Sequence, residues 1–230
     1  MAIQYLKKGI TEQERSTEDN KVKNIVEETL KKIEQRGDLC IRELSEKFDN
    51  YSPKSFKLSN SEIQNLISKV SEDDIEDIKF AQKQVRQFAE AQLSTLKELE
   101  VETIPGVVLG HRNIPVQSVG CYIPAGKFPM VASAHMSVVT ASVAGVPRIV
   151  ATTSPYQEKP NPAVIAAMHF GGAHEIYVLG GMQGIGAMAI GTETIKPVDM
   201  LVGPGNACLL YTSDAADEGL GVDLGGRRII

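Results

Sequence analysis

Two glycine-bearing segments carry residue types that let a backbone approach a phosphorylated ligand. In Gly203-Pro204-Gly205-Asn206, glycines flank a proline, so the turn is stiff at one residue and free of Cβ atoms on either side, where N–H groups can face a ligand. The same four residues also read as an ordinary tight turn. Gly184-Ile185-Gly186-Ala187-Met188-Ala189 imitates the dinucleotide fingerprint G-x-G-x-x-G/A, whose glycines permit a tight turn and close pyrophosphate approach. It also reads as glycine placed for close helix packing. The acidic residue that should end a second strand about 20 positions later has no counterpart, because Asp199 precedes its strand.

Metal and nucleophile chemistry find less support. Among His111, His135, His169 and His174 no two stand at metal-ligand spacing, and neither H-E-x-x-H nor a nucleophile elbow is present. Cys40, Cys121 and Cys208 are far apart and form no C-x-x-C pair, so they read as buried or idle thiols, not as a disulfide framework or zinc knuckle. A formal net charge of -5 supplies no basic footprint for nucleic acid. No run approaches the roughly 20 apolar residues of a membrane span, and Met1 to Lys8 lacks the apolar segment of a signal peptide. The expectation is a cytoplasmic protein that acts on a small molecule, with no nucleic-acid or membrane partner.

The elements that must position these segments change character near residue 100. Residues 1–100 hold 37 Asp, Glu, Lys and Arg residues, whereas residues 101–207 hold 10, which sets a helical region at 1–100 apart from a second region at 101–207. Val22, Ile25, Val26, Leu30 and Ile33 recur at helical spacing, Arg36-Gly37-Asp38 stops the pattern, and Leu39 to Phe48 form a second helix. Ser61 is the expected N-cap of a helix to Val70, and a longer helix runs from Glu72 to Leu96 on a stripe of Ile75, Ile78, Val85, Phe88 and Leu93.

After residue 101, short apolar runs alternate with small-residue helices, the signature of β-α-β units around a parallel sheet. Strands are predicted at Ser118 to Ile123, Arg148 to Thr153, Glu175 to Leu179 and Met200 to Val202. Helices are predicted at Met130 to Ala144, Pro162 to Phe170 and Gln183 to Ile190. Ligands of such sheets gather at the loops after the strand C-terminal ends. The expected fold class is α/β, with N-terminal helices before an incomplete, truncated Rossmann-like domain. Residues 208–230 do not continue the pattern: Cys208 to Glu218 matches one translation frame of a sequencing adapter, so this stretch is expected to be a non-native tail.

Several spaced motifs then occur together: Arg36-Gly37-Asp38 with Phe48-Asp49, Val119 to Gly126, Gly180 to Ile185, Gly191-Thr192-Glu193 and Gly203 to Ala207. In this order they resemble the histidinol dehydrogenase family over nearly all of residues 20–207. The resemblance implies a homodimeric alcohol dehydrogenase using NAD and zinc, with the positions of Tyr122, Gln183 and Asn206 contacting NAD. Family members commonly have alanine where Gly184 and Gly186 stand, which makes the apparent fingerprint incidental. The family's catalytic Glu-His pair and zinc ligands match positions beyond Ala207, so no catalytic or metal residue carries over to this chain.

One segment departs from ordinary histidinol dehydrogenases. Lys127 to Met136, with Lys127 and His135 as candidate substrate residues, looks more like the branch that oxidises sulfopropanediol to sulfolactate. Lys127 before a helix N-terminus suits an anionic sulfonate, but ordinary family members often carry arginine there, so it does not decide alone; His135, in place of a usual leucine, discriminates better and could add a hydrogen bond, although it also reads as a packed core histidine. L-Histidinol oxidation is the alternative substrate reading, and a non-catalytic nucleotide-binding or interaction module is the alternative of a different class.

Overall fold

The computed structural model describes residues 12–205. Helix α1 (Glu12–Asp49) bends at Gly37, whose φ of 50° and ψ of -129° lie outside helical space. Two helices meet there, as expected on either side of Arg36-Gly37-Asp38, and α1 is the pair taken together across the kink. Helix α2 (Asn60–Ile67) starts from Ser59, not from the expected Ser61. Ser59 is extended, its Oγ accepts the Glu62 N–H at 3.3 Å, and the Glu62 carboxylate accepts the Ser59 N–H at 2.8 Å. This reciprocal capping box satisfies two amides that the first turn leaves unpaired.

Helix α3 (Glu72–Leu93) is capped by Ser71 and ends before the expected Leu96. Only part of its expected stripe is inward: Ile78 and Gln82 are buried, whereas Phe88 and Leu93 are exposed. A hairpin that the periodicity did not bring out follows, with β1 (Leu99–Ile104) and β2 (Val107–His111) antiparallel around Pro105-Gly106 and every strand residue exposed.

The remaining elements are β3 (Ser118–Ile123), α4 (Val131–Ala134), a π-helical turn at His135–Val139, α5 (Thr140–Val143), β4 (Arg148–Thr153), α6 (Pro162–Gly171), β5 (Glu175–Val178), α7 (Gly181–Ile190) and β6 (Met200–Val202). The four later strands form a parallel sheet in the order β5-β4-β3-β6. The expected mixed helix and parallel-sheet fold is the one observed. Three of its strands, β3, β4 and β6, have the expected bounds; the buried β3 and β4 read as near-continuous apolar runs that turn residues punctuate.

Alternation along the strands feeds two cores. Val119, Cys121, Ile123, Ile149 and Ala151 face a layer containing α2, α4, α6 and Ile78 of α3. Val150, Tyr177 and Leu179 pack with Val26, Leu30 and Ile33 of α1 and with Met188 of α7 on the other. The N-terminal helices thus cover both faces of the sheet and share its cores. Gly120 is where α7 and β6 come closest to β3: a Cβ there would lie 2.8 Å from Met188 Sδ and 2.9 Å from Leu201 Cδ2. Among the described residues no helix is long and apolar enough to cross a membrane.

Candidate functional site

The sheet order reverses at β3, with β4 and β5 on one side and β6 on the other. In open parallel sheets a ligand crevice forms at such a switch point, outside the strand C-terminal ends. Tyr122, the penultimate residue of β3, is buried there, and the Gly181 N–H at the start of α7 donates to its Oη at 3.4 Å. Gly203, just after β6, closes the other side: a Cβ on it would lie 2.5 Å from the Tyr122 carbonyl oxygen and 3.0 Å from Tyr122 Cβ. Its φ of 152° is also a conformation that favours glycine.

The loop after β5 is equally tight. A Cβ on Gly180 would lie 2.0 Å from Ser154 Oγ at the end of β4, and one on Gly181, with φ of 58°, would lie 3.1 Å from Gln183 Oε1. Glycines therefore let the loops close on one another around Tyr122, Ser154 and Gln183, and the bare backbone of this group is the candidate cradle. Gln183 is buried, and its Nε2 donates to Asp49 Oδ2 at the end of α1 at 2.9 Å. Burial raises the Asp49 carboxyl above its ordinary pKa, with the Gln183 hydrogen bond acting in the opposite direction.

The structure brings Tyr122 and Gln183 to one end of the sheet, through Gly181. Asn206 lies outside the described residues. Lys127 is exposed in the loop leaving β3, at that same end. His135 is not brought to them. It sits in the helix layer opposite α7, buried, with its Nδ1 3.2 Å from Gln82 Nε2. Since Gln82 Nε2 also donates to the Ala167 carbonyl at 2.7 Å, the imidazole Nδ1 is the acceptor. Burial lowers the pKa of His135, and the bond from Gln82 occupies its Nδ1.

The fingerprint-like glycines serve packing. A Cβ on Gly184 would meet the Leu179 carbonyl oxygen at 2.7 Å, and one on Gly186 would meet Ile33 Cδ1 at 2.9 Å, where α7 rests on α1. Cys40 and Cys121 are buried free thiols. Burial pushes Cys121 up to about 12, against a hydrogen bond with Ser137. An apolar cavity of about 720 Å³ runs beside β6, lined by Val119, Met136, Ala141, Met200, Gly203 and Pro204 among others, with no titratable side chain. It has no group for acid-base work.

Two residues that the single-residue reading passed over tie this end together: Asp49 meets Gln183, and Asn50 donates its side-chain amide to Glu158 in the loop after β4. At the opposite end, Glu193 accepts the Asp38 N–H. Asp49, Asp38 and Glu193 belong to the motifs already singled out, which was the available signal. Among the described residues no group of three or more His, Cys, Asp or Glu side chains could hold a metal ion.

The family model described as histidinol dehydrogenase matches residues 12–224. A "Histidinol dehydrogenase homolog" of Shouchella clausii is 50% identical over 96% of this chain and 52% of its own length. The "Sulfopropanediol 3-dehydrogenase" of Ruegeria pomeroyi is 39% identical over 97% of this chain and 51% of its own. The "Histidinol dehydrogenase" of Methanococcus maripaludis is 36% identical over 79% and 42%. Among solved structures, histidinol dehydrogenase from Elizabethkingia anophelis aligns with a TM-score of 0.79 and 29% identity, over 93% of this chain and 47% of that one. The chain spans about half the length of the curated relatives it matches.

Proposed function

Because the chain belongs to the histidinol dehydrogenase family, a family of dehydrogenases acting on CH–OH groups, we propose that it forms the NAD-binding half of a zinc-dependent alcohol dehydrogenase. The observation that carries this reading is the convergence of Tyr122, the Gly180-Gly181 turn with Gln183, and Gly203 at the switch point of the sheet. Backbone left bare of side chains at Gly180, Gly181 and Gly203 suits a ligand that must lie close to it, as a dinucleotide does.

When bound, NAD supplies the acceptor for the hydride that leaves the alcohol carbon. This chain's contribution is binding and orientation. Tyr122 gives the floor a flat apolar face. The side chain of Gln183 borders the cradle with its oxygen beside the bare Gly181 Cα, and Asn206 would add a polar contact from the loop after β6. Lys127 adds a positive charge at the rim, which suits an anionic substrate. For zinc, the described residues do not form a ligand set, and no step is derived through it. The metal ligands and the catalytic base belong, on this reading, to the part of the complete enzyme that matches the relatives' remaining length.

The substrate class is a small polar alcohol. Sulfopropanediol is taken first, on the Lys127 to Met136 segment and the relative from Ruegeria pomeroyi. Histidinol is second, on the relatives that bear that name. The burial of His135 against Gln82 leaves Lys127 as the residue of this segment that argues for a sulfonate. The complete enzyme is read as a cytoplasmic homodimer. Titrating NAD into the chain and into its Tyr122→Ala variant tests the binding role. Loss of affinity in the variant, with the fold intact, supports it, and equal affinity rejects it.

A further inference from the structure

We propose that Asp49 is a positioning residue that fixes the side-chain amide of Gln183, so that this glutamine offers its oxygen, and not its nitrogen, to the cleft. The proposal rests on the reading of the cleft as the NAD site and assigns a role to the Phe48-Asp49 motif, which that reading left unused.

Asp49 is the last residue of α1 and Gln183 lies in the first turn of α7, 134 residues apart. Their contact of 2.9 Å joins a carboxylate to an amide nitrogen. An ionised carboxylate is acceptor-only, so it can engage Nε2 of the amide and not Oε1. A glutamine amide has two faces of nearly identical shape, and its orientation is set by its hydrogen-bond partners. Here the partner is unambiguous. No Lys or Arg forms an ion pair with Asp49 among the described residues, so the carboxylate is not diverted from the amide.

The other end of the amide lies beside the bare Gly181. Gln183 Oε1 is the nearest atom to the Cβ position that Gly181 lacks, at 3.1 Å. No described residue donates a hydrogen bond to it. The same corner of α1 also holds the opposite wall, because Asn50, in the left-handed region with φ of 49°, donates its side-chain amide to Glu158. Asp49 and Asn50 therefore fix two of the loops that border the cradle from one point outside it. A fixed acceptor has a chemical consequence: the group it meets on the dinucleotide is a hydrogen-bond donor, such as a carboxamide N–H or a ribose hydroxyl, and not a phosphate oxygen.

The test uses the full chain with isotope-labelled glutamine side chains and NAD as the titrant. In the unmodified protein, one Nε2 proton of Gln183 is expected to be shifted away from free-amide values and slow to exchange. Two solvent-like protons would overturn the contact without any variant. Gln183→Ala should weaken NAD binding by about tenfold, the effect of one well-placed hydrogen bond to a buried amide. Asp49→Leu, similar in size but unable to accept, should weaken it comparably, and Asp49→Asn, whose Oδ1 still accepts, should restore most of the affinity.

The double variant decides between positioning and general support. If Asp49 acts through Gln183, Asp49→Leu adds nothing in the Gln183→Ala background. Additive losses, or an unaffected Asp49→Leu beside a weakened Gln183→Ala, would overturn the proposal. Unchanged NAD affinity in Gln183→Ala would instead overturn the cofactor reading of this glutamine, with the shifted amide proton still reporting the contact to Asp49.

Discussion

The Glu193 carboxylate accepts the backbone N–H of Asp38 at 2.7 Å, across 155 residues of sequence, at the point where α1 resumes after its bend. Thr194 Oγ1 returns a hydrogen bond to the Asp38 carboxylate at 3.0 Å. The loop after α7 thus caps a helix that begins far away in the chain, and holds α1 in the orientation that delivers Asp49 to Gln183. Accepting that N–H keeps the Glu193 carboxyl below its ordinary pKa.

Gly37 is the residue this cap cannot exchange. Its φ of 50° and ψ of -129° suit glycine alone, and a Cβ would lie 2.2 Å from Glu193 Oε2. Gly37→Ala should destabilise the fold by at least 1 kcal/mol or so from backbone strain alone, with the lost cap in addition. Urea unfolding measures it, and a midpoint equal to that of the unmodified chain would count against the described bend.

Gly186 should behave differently, because its Cβ would press on the flexible ends of Ile33 and Leu30, not on a phosphate. Gly186→Ala is expected to leave NAD affinity unchanged and to alter stability by less than about 1 kcal/mol. A large loss of NAD binding would restore the fingerprint reading of Gly184 to Ala189.

This contrast marks how much was legible in the sequence. The strands from Ser118 and Arg148 announced themselves because each is a largely buried run ended by proline or polar residues, and the short Met200 strand because glycine and proline follow it. The hairpin went unseen, although Leu99 to Ile104 alternates and Pro105-Gly106 makes its turn. Both of its faces are exposed, so its alternation does not mark a buried side. Ser59 and Ser61 both precede Glu62 closely, and only Ser59 has the three-residue spacing of a capping box. Tyr122 and Gln183 could be placed after the right strands, but the Asp49 and Glu193 contacts join residues far apart in sequence, which no local pattern encodes.

At the other end of the sheet, Glu175 links β5 to Lys57 at 2.8 Å and to Arg148 at 2.7 Å. Burial opposes its charge, but hydrogen bonds from Lys57, Arg148 and Tyr177 outweigh this and hold its carboxyl at about 2. A carboxyl depressed in the folded state stabilises above its unfolded pKa, and that contribution is lost as pH falls through the folded value. Stability should therefore decline from about pH 4.5 towards 2, with a shallower decline in Glu175→Gln. Parallel pH profiles for the two proteins would show that this network contributes nothing.

His135 provides a separate acid response. Its pKa is lowered by burial, so the folded state resists a proton that the unfolded chain accepts below about 6.5. His135→Leu should remove part of the stability lost below that pH. In a chain extended to the length of its relatives it should leave the kcat/KM ratio for dihydroxypropanesulfonate over histidinol unchanged. A changed ratio would put the imidazole in the substrate site after all.

The central claim is that NAD occupies the cradle between the ends of β3, β5 and β6. Mapping the backbone amides that shift when NAD is titrated into the isotope-labelled chain tests it directly. The account predicts shifts concentrated at Tyr122 and at Gly180 to Gln183, with Lys57, Arg148 and Glu175 at the opposite end unmoved. Shifts centred on Val119, Met136 and Met200 along the apolar cavity, or no shifts at saturating NAD, would contradict it.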